Sequence, residues 1–183
     1  MSEQNPWKTL STKLIYQNPW IKVREDAVIA PDGSNSIYSV VEPKIAVGVL
    51  AINEVNEVYM VGQYRYPINQ YSWEIIEGGA ELGEDPLDCA KRELKEEAGL
   101  IANKWQPLSK KIHLSNCFTS EVGYLFLAQN LEIGNNCPDS TEVLQLKKIP
   151  FEEVLRLIDL GEISDALTIM AIHLYKNNLI NKL

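Results

Sequence analysis

Three glutamates, Glu93, Glu96 and Glu97, stand at positions i, i+3 and i+4, so that on a helix their carboxylates converge on one face. At about 100° per residue Glu97 projects between Glu93 and an apolar stripe made by Leu87, Ala90 and Leu94, which predicts a carboxylate partly shielded from water. Like charges one turn apart destabilise a helix by roughly 0.2–0.5 kcal/mol, and acids in its last turn oppose the macrodipole by roughly 0.3–1 kcal/mol. Lys91 and Lys95 can offset part of this cost. A hard divalent cation such as Mg²⁺ offsets it more directly, because it takes carboxylate and water oxygens and is commonly shared with substrate phosphates. Locally unfavourable choices of this kind gather at functional sites. Alone, however, such a triplet is an ordinary solvated acidic face.

The elements that must position these acids are legible around them. Asp85 and Pro86 supply an N-cap and a first-turn proline, and Gly99 supplies the stop, which predicts a helix over Pro86–Ala98. Upstream, Thr12 to about Tyr64 reads as short strands separated by Asn18-Pro19, by Pro31 to Asn35 and by Asn53 to Asn56. Ile21 and Val23 alternate with Lys22 and Arg24, as in a half-buried strand, whereas Ile45 to Ile52 is continuously apolar and reads as central. Downstream, strands are expected around Ile112–Leu114, Gly123–Ala128 and Val143–Ile149, with Gly134 to Thr141 a loop. Helical periodicity covers Phe151–Leu160, ended by Gly161, and Asp165–Tyr175, for which Ser164 can serve as cap.

A chain of 183 residues with 45% apolar content can bury one sizeable core. The net charge of −8 argues against nucleic-acid binding, which needs clustered Lys and Arg. Cys89, Cys117 and Cys137 form no C-x-x-C pair and no even disulfide framework, so reduced thiols in a cytoplasmic protein are expected. The polar start and the short longest apolar run predict neither export nor a membrane span.

The acids are not isolated. Gly78, Glu84, Arg92, Glu93, Leu94, Glu96, Glu97, Gly99 and Leu100 follow G-x5-E-x7-R-E-U-x-E-E-x-G-U, with U aliphatic, and this resembles a complete Nudix box over residues 78–100. The resemblance implies a Nudix α/β/α sandwich with a mixed sheet, preceded by a small N-terminal antiparallel sheet. It implies an N-terminal β-rich dimerisation region over residues 1–43 and a Nudix hydrolase domain over 44–183. It further implies that water attacks a diphosphate with the help of Mg²⁺, or Mn²⁺. Glu93 and Glu97 are then the principal metal ligands, Glu96 an auxiliary ligand or base, and Glu84 an outer ligand. The backbone carbonyl of Glu77 completes the shell, and Arg92 orients a box glutamate.

Outside the box, Gln63 to Pro67, Trp73-Glu74 and Ser120-Glu121 followed by Gly123 to Ala128 resemble the ADP-ribose pyrophosphatase and sugar-nucleotide branch. In that branch Arg65 corresponds to a phosphate-contacting arginine and Glu121 to a glutamate near the diphosphate. Glu74 supports either the site or the fold. The base in that branch is often a glutamate on a loop after the box, a region that holds Glu142, while Glu121 and the box residue Glu96 remain competing candidates. Many ADP-ribose enzymes carry a proline where this chain reads His113 to Phe118, which keeps GDP-mannose and other nucleoside diphosphate sugars open alongside ADP-ribose. Ile76 likewise replaces a frequent proline. Other readings are hydrolysis of dinucleoside polyphosphates or nucleoside triphosphates, and a non-catalytic module that senses ADP-ribose. The branch implies a homodimer. His113, His173 and the four tryptophans read as structural, with base stacking open to the latter.

Overall fold

The computed structural model describes residues 4–134 and 144–180, and the chain divides into two compact units, residues 1–44 with 113–122, and residues 45–112 with 123–183.

The first unit is a three-stranded antiparallel meander of β1 (Lys8–Gln17), β2 (Ile21–Ile29) and β3 (Asn35–Pro43). Asn18 makes the first turn because its side-chain oxygen accepts the N–H groups of Trp20 (2.9 Å) and Ile21 (2.8 Å). Gly33, at φ +85°, makes the second, with Asp32 accepting from Ser34 N–H at 2.9 Å. Residues 113–122 join this sheet, since Val41 N–H donates to Phe118 O and Ser120 N–H to Val41 O, both at 2.9 Å. The sheet buries little. All ten residues of β1 are exposed, and Leu14 (57%), Trp20 (66%) and Ile37 (63%) face solvent.

The second unit contains β4 (Ala46–Ala51), β5 (Glu57–Arg65), β6 (Gln70–Glu74), β7 (Ile76–Gly79), α1 (Pro86–Ala98), β8 (Leu100–Pro107), β9 (Ile112–His113), β10 (Val122–Ile133), β11 (Gln145–Pro150), α2 (Phe151–Asp159) and α3 (Ala166–Ile180). One sheet runs β7-β4-β10-β8, with β9 also on β10, and the other runs β11-β5-β6. The first is mixed: β4 and β10 are parallel, while β7 and β8 are antiparallel to their neighbours. Alternation along β4 gives each face its own helix. Val47, Val49 and Ala51 pack with Ala90, Leu94 and Ala98 of α1. Gly48 faces α3, where a Cβ would lie 2.7 Å from Leu125 Cδ2 and 3.7 Å from Leu167 Cβ. The sandwich is therefore α/β/α, as expected from the resemblance.

One strand was not expected, and two expectations need correction. Leu100–Pro107 is a strand that its mixed composition conceals, because β8 is the last strand of its sheet and all but one of its residues stay at least partly exposed. β10 runs past Ala128 to Ile133, since Gln129 to Ile133 have β8 to pair with. The cap of α3 is Asp165, whose carboxylate accepts Thr168 N–H at 2.7 Å, so the helix starts one residue later than Ser164 capping allows. The loop expected over Gly134 to Thr141 lies outside the described residues from 135 onward, as does Cys137.

Candidate active site

Local chemistry builds α1 as expected. Asp85 accepts Leu87 N–H at 2.9 Å, Pro86 opens the helix, and Gly99 closes it at φ +63° with its N–H on Lys95 O. This places Glu93 (9% exposed) and Glu97 (7%) at the edge of the buried face. Glu97 Oε2 accepts the backbone N–H of Glu77 at 3.2 Å, tying the helix to β7. Gly78 is glycine for reasons of space: a Cβ there would stand 2.0 Å from the carboxyl carbon of Glu93. The incoming strand thus forms a cradle that only a bare backbone leaves open.

Arg92 collects three box acids. Its Nε and Nη2 each reach a different oxygen of Glu84 at 3.0 Å, while Nη1 reaches Glu93 at 2.6 Å and Glu96 at 3.0 Å. Nη2 also donates to Gly79 O at 3.2 Å. The guanidinium beside Glu84, with a backbone N–H from Glu81, lowers that carboxyl from 4.5 to about 2. Cys89, buried beneath, is pushed up to about 12 by desolvation and is no nucleophile at neutral pH.

A second ion pair lies on the strand leading to the box. Arg65 Nε donates to both oxygens of Glu74 at 3.0 Å, and Nη2 reaches one of them at 2.5 Å. Glu74 is only 3% exposed, so its carboxylate serves to hold Arg65. Burial opposes the charge of Arg65, but Glu74, with Glu77 and Glu97 behind it, outweighs it and the pKa is raised. Arg65 Nη2 also stands 3.7 Å from Glu77 Oε2. Burial, then the neighbouring Asp165 carboxylate, raises the carboxyl of Glu77 well above the usual range, and its Oε1 has no hydrogen-bond partner.

The second unit therefore brings together Glu74 with Arg65 and Glu77, and Glu84, Glu93 and Glu96 with Arg92, while Glu97 is joined to the backbone of Glu77. Glu121 lies in the first unit, where burial raises its carboxyl. Glu142 lies outside the described residues. Trp73 lies under Lys147 Nζ, 4.1 Å from the ring centroid, and Trp105 donates to Ala102 O at 3.0 Å; both are structural contacts. Among the described residues no three acidic, His or Cys side chains converge closely enough to enclose an ion as they stand, because Arg92 draws the oxygens of Glu84, Glu93 and Glu96 onto itself. The donor set nonetheless fits a hard divalent cation. It is all carboxylate oxygen, two of its members are buried one turn apart, and Gly78 keeps the approach to Glu93 open.

The NUDIX domain matches residues 42–169, spanning box, both sheets and the start of α3, and the nucleoside diphosphate sugar hydrolase N-terminal domain matches residues 7–41. The chain belongs to the Nudix family. Among its Nudix relatives, the ADP-ribose pyrophosphatase of Bacillus subtilis (strain 168) is 32% identical over 167 residues, 90% of each chain. The methanol dehydrogenase activator of Bacillus methanolicus is 34% identical, again over 167 residues and 90% of each. The ADP-ribose pyrophosphatase of Mycobacterium tuberculosis is 30% identical over 176 residues, 93% of this chain and 84% of its own. A crystal structure of an ADP compounds hydrolase shares the fold with TM-score 0.85, covering 100% of this chain and 98% of that one at 21% identity. The protein is accordingly a Nudix hydrolase of the pyrophosphatase kind, and enzymes of this family generally use divalent metal ions. Among the described residues no helix is long and apolar enough to cross a membrane.

Two residues that sequence reasoning did not single out also belong to the surroundings of the site. Thr168 accepts the N–H of Ile75 at 3.0 Å, and Asp165 lies against Glu77. Both pairs are far apart in sequence, and no local pattern signals them.

Proposed function

We propose that this Nudix hydrolase splits the diphosphate of ADP-ribose or a related nucleoside diphosphate sugar, giving a nucleoside monophosphate and a sugar phosphate. The observation that carries this reading is the pair of buried carboxylates held against β7, Glu93 beside the bare backbone of Gly78 and Glu97 on the N–H of Glu77. Glu93 and Glu97 would hold Mg²⁺ or Mn²⁺, with Glu96, Glu84 and the carbonyl of Glu77 as further donors. Bound there, the metal supplies Lewis acidity that makes a water nucleophilic and neutralises charge on the phosphoryl oxygens. Arg92 orients the box acids through its fork of N–H donors and keeps Glu84 ionised. Arg65, presented by the buried Glu74, balances the remaining diphosphate charge.

The proton of the attacking water goes to a glutamate, with Glu142, Glu121 and Glu96 as candidates. The raised pKa of Glu121 suits a base better than that of an exposed acid, since a base works best near the operating pH. The N-terminal sheet serves as a homodimer interface, supported by the apolar side chains it exposes. The relatives' names support an ADP-linked substrate. The free thiols of Cys89 and Cys117 are in keeping with a cytoplasmic location.

The test is a hydrolysis panel of ADP-ribose, GDP-mannose, UDP-glucose, dinucleoside polyphosphates and nucleoside triphosphates, with Mg²⁺, Mn²⁺ or EDTA. AMP and ribose 5-phosphate from ADP-ribose, abolished by EDTA, are expected. Inorganic phosphate as the first product, or turnover unchanged in EDTA, would overturn the reading.

A further inference from the structure

The strand that enters the box changes sheets within a single residue. Glu74 is the last residue of β6 and pairs with Val61 in the three-stranded sheet, whereas Ile76 is the first of β7 and pairs with Val49 in the five-stranded one. Ile75 lies between the two ladders, and its N–H is satisfied by the Thr168 hydroxyl at 3.0 Å. Thr168 is fully buried on the first turn of α3, and its own N–H is held by Asp165 at 2.7 Å, which fixes where the hydroxyl stands. The Ile75 side chain packs on the same side, since its Cδ1 and the Cβ of Leu167 lie 3.0 and 3.7 Å from the position of a Cβ on Gly48. On either side of this crossover lie the parts of the site: Glu74 grips Arg65, and two residues after Ile75 the N–H of Glu77 holds Glu97.

We propose that Thr168 is a positioning residue for the metal-binding carboxylates, pinning the crossover at Ile75 so that the Glu77 backbone keeps Glu97 in its buried pose. This rests on the reading of Glu93 and Glu97 as metal ligands. A polar residue is needed because a buried N–H outside any ladder must find an acceptor. An outer partner that orients a ligand typically changes metal affinity by roughly 10–100-fold when lost. The effect passes along the chain from the bend at Ile75 through Ile76 to Glu77 of β7, so it requires no contact between Thr168 and the ion.

The experiment measures Mn²⁺ binding to the whole chain without substrate, from the free-ion signal in electron paramagnetic resonance, with thermal melts alongside. Thr168→Val, which keeps the shape and removes the acceptor, is expected to weaken Mn²⁺ binding about tenfold or more. Thr168→Ser, which restores the oxygen, should return affinity to within about threefold of the parent. Val154→Ala, which opens a buried site on α2, controls for lost stability and should melt earlier yet bind Mn²⁺ normally. If Thr168→Val does not fold, Thr168→Ala is interpreted the same way. Parent-like affinity in the folded variant that lacks the hydroxyl, or an equal loss in Val154→Ala, overturns the proposal. A parent chain that binds no Mn²⁺ defeats the metal reading and this proposal with it, whereas binding lost in Glu97→Gln but kept in Thr168→Val defeats this proposal alone.

Discussion

The N-terminal sheet and the box helix depart from the usual distribution of residues in opposite directions. On the sheet, Leu14, Trp20 and Ile37 are more than half exposed, and β1 buries none of its residues. Around the box, Glu74, Glu93 and Glu97 are all nine-tenths buried or more. Apolar groups left in water and carboxylates taken out of it are both costly, and each cost is relieved by a different kind of neighbour. Exposed apolar area calls for another protein surface, because burying it requires only contact. Buried carboxylates call for fixed positive charge, which within the chain comes from Arg92 and Arg65. The exposed sheet is therefore open to many shapes of partner, while the carboxylates constrain what binds them by charge, donor type and geometry.

The sharpest way to break this contrast is to remove charge without volume. Glu97→Gln should lower turnover by more than the roughly 10–100-fold typical of an outer-shell change, with the melting temperature held or raised because a buried charge is gone. Turnover within tenfold of the parent would show that Glu97 is only a buried acid. Next in size is the base: Glu→Gln at 142, 121 and 96 should reveal one position at which kcat falls by roughly 10²–10⁴ with KM little changed. Losses below tenfold at all three would remove a general base from the mechanism.

The sheet is tested by adding charge. Leu14→Glu should shift a dimer to monomer in light scattering at micromolar concentration, leaving the Nudix core folded. A parent chain that is already monomeric and fully active would end the dimer proposal. A smaller effect tests how the acids are held. The Glu84 carboxyl lies at about 2 instead of 4.5, so the stability it contributes is fully present above about pH 4.5 and lost as pH falls towards 2. Arg92→Met should flatten urea-unfolding midpoints between pH 5 and pH 2, and cost on the order of 2 kcal/mol at pH 7. Undiminished pH dependence in this variant would assign the acid sensitivity to other carboxylates. Smallest is Asp85→Ala, expected to cost about 1 kcal/mol through loss of the cap while sparing Mn²⁺ binding. A large loss of Mn²⁺ affinity would mean that the helix N-terminus, too, positions the acids.

Much of the site was legible because it lies on one short segment. Spacing alone put Glu93 and Glu97 on one turn, and Asp85, Pro86 and Gly99 marked both ends of the helix that carries them. β8 was harder to read, since an edge strand tolerates exposed polar residues such as Asn103 and Lys104, which alternate to its two faces and leave no clean apolar pattern. The capping role of Asp165 was missed because Ser164 and Asp165 are both good caps, and only the packed position of α3 decides between them.

By itself the sequence determined whatever depends on neighbours within a few residues: the helix and its caps, the turns at Asn18 and Gly33, and the periodic placement of the box acids. The tertiary structure alone decided which acids lose their water and which cation each one meets. Arg65 meets Glu74 across a strand pair, Glu97 meets the Glu77 backbone across a helix-to-strand contact, and Ile75 meets Thr168 from the far end of the chain. Desolvation and hydrogen bonding act through space over a few ångströms, and which residues come that close is set by packing, which no local spacing encodes.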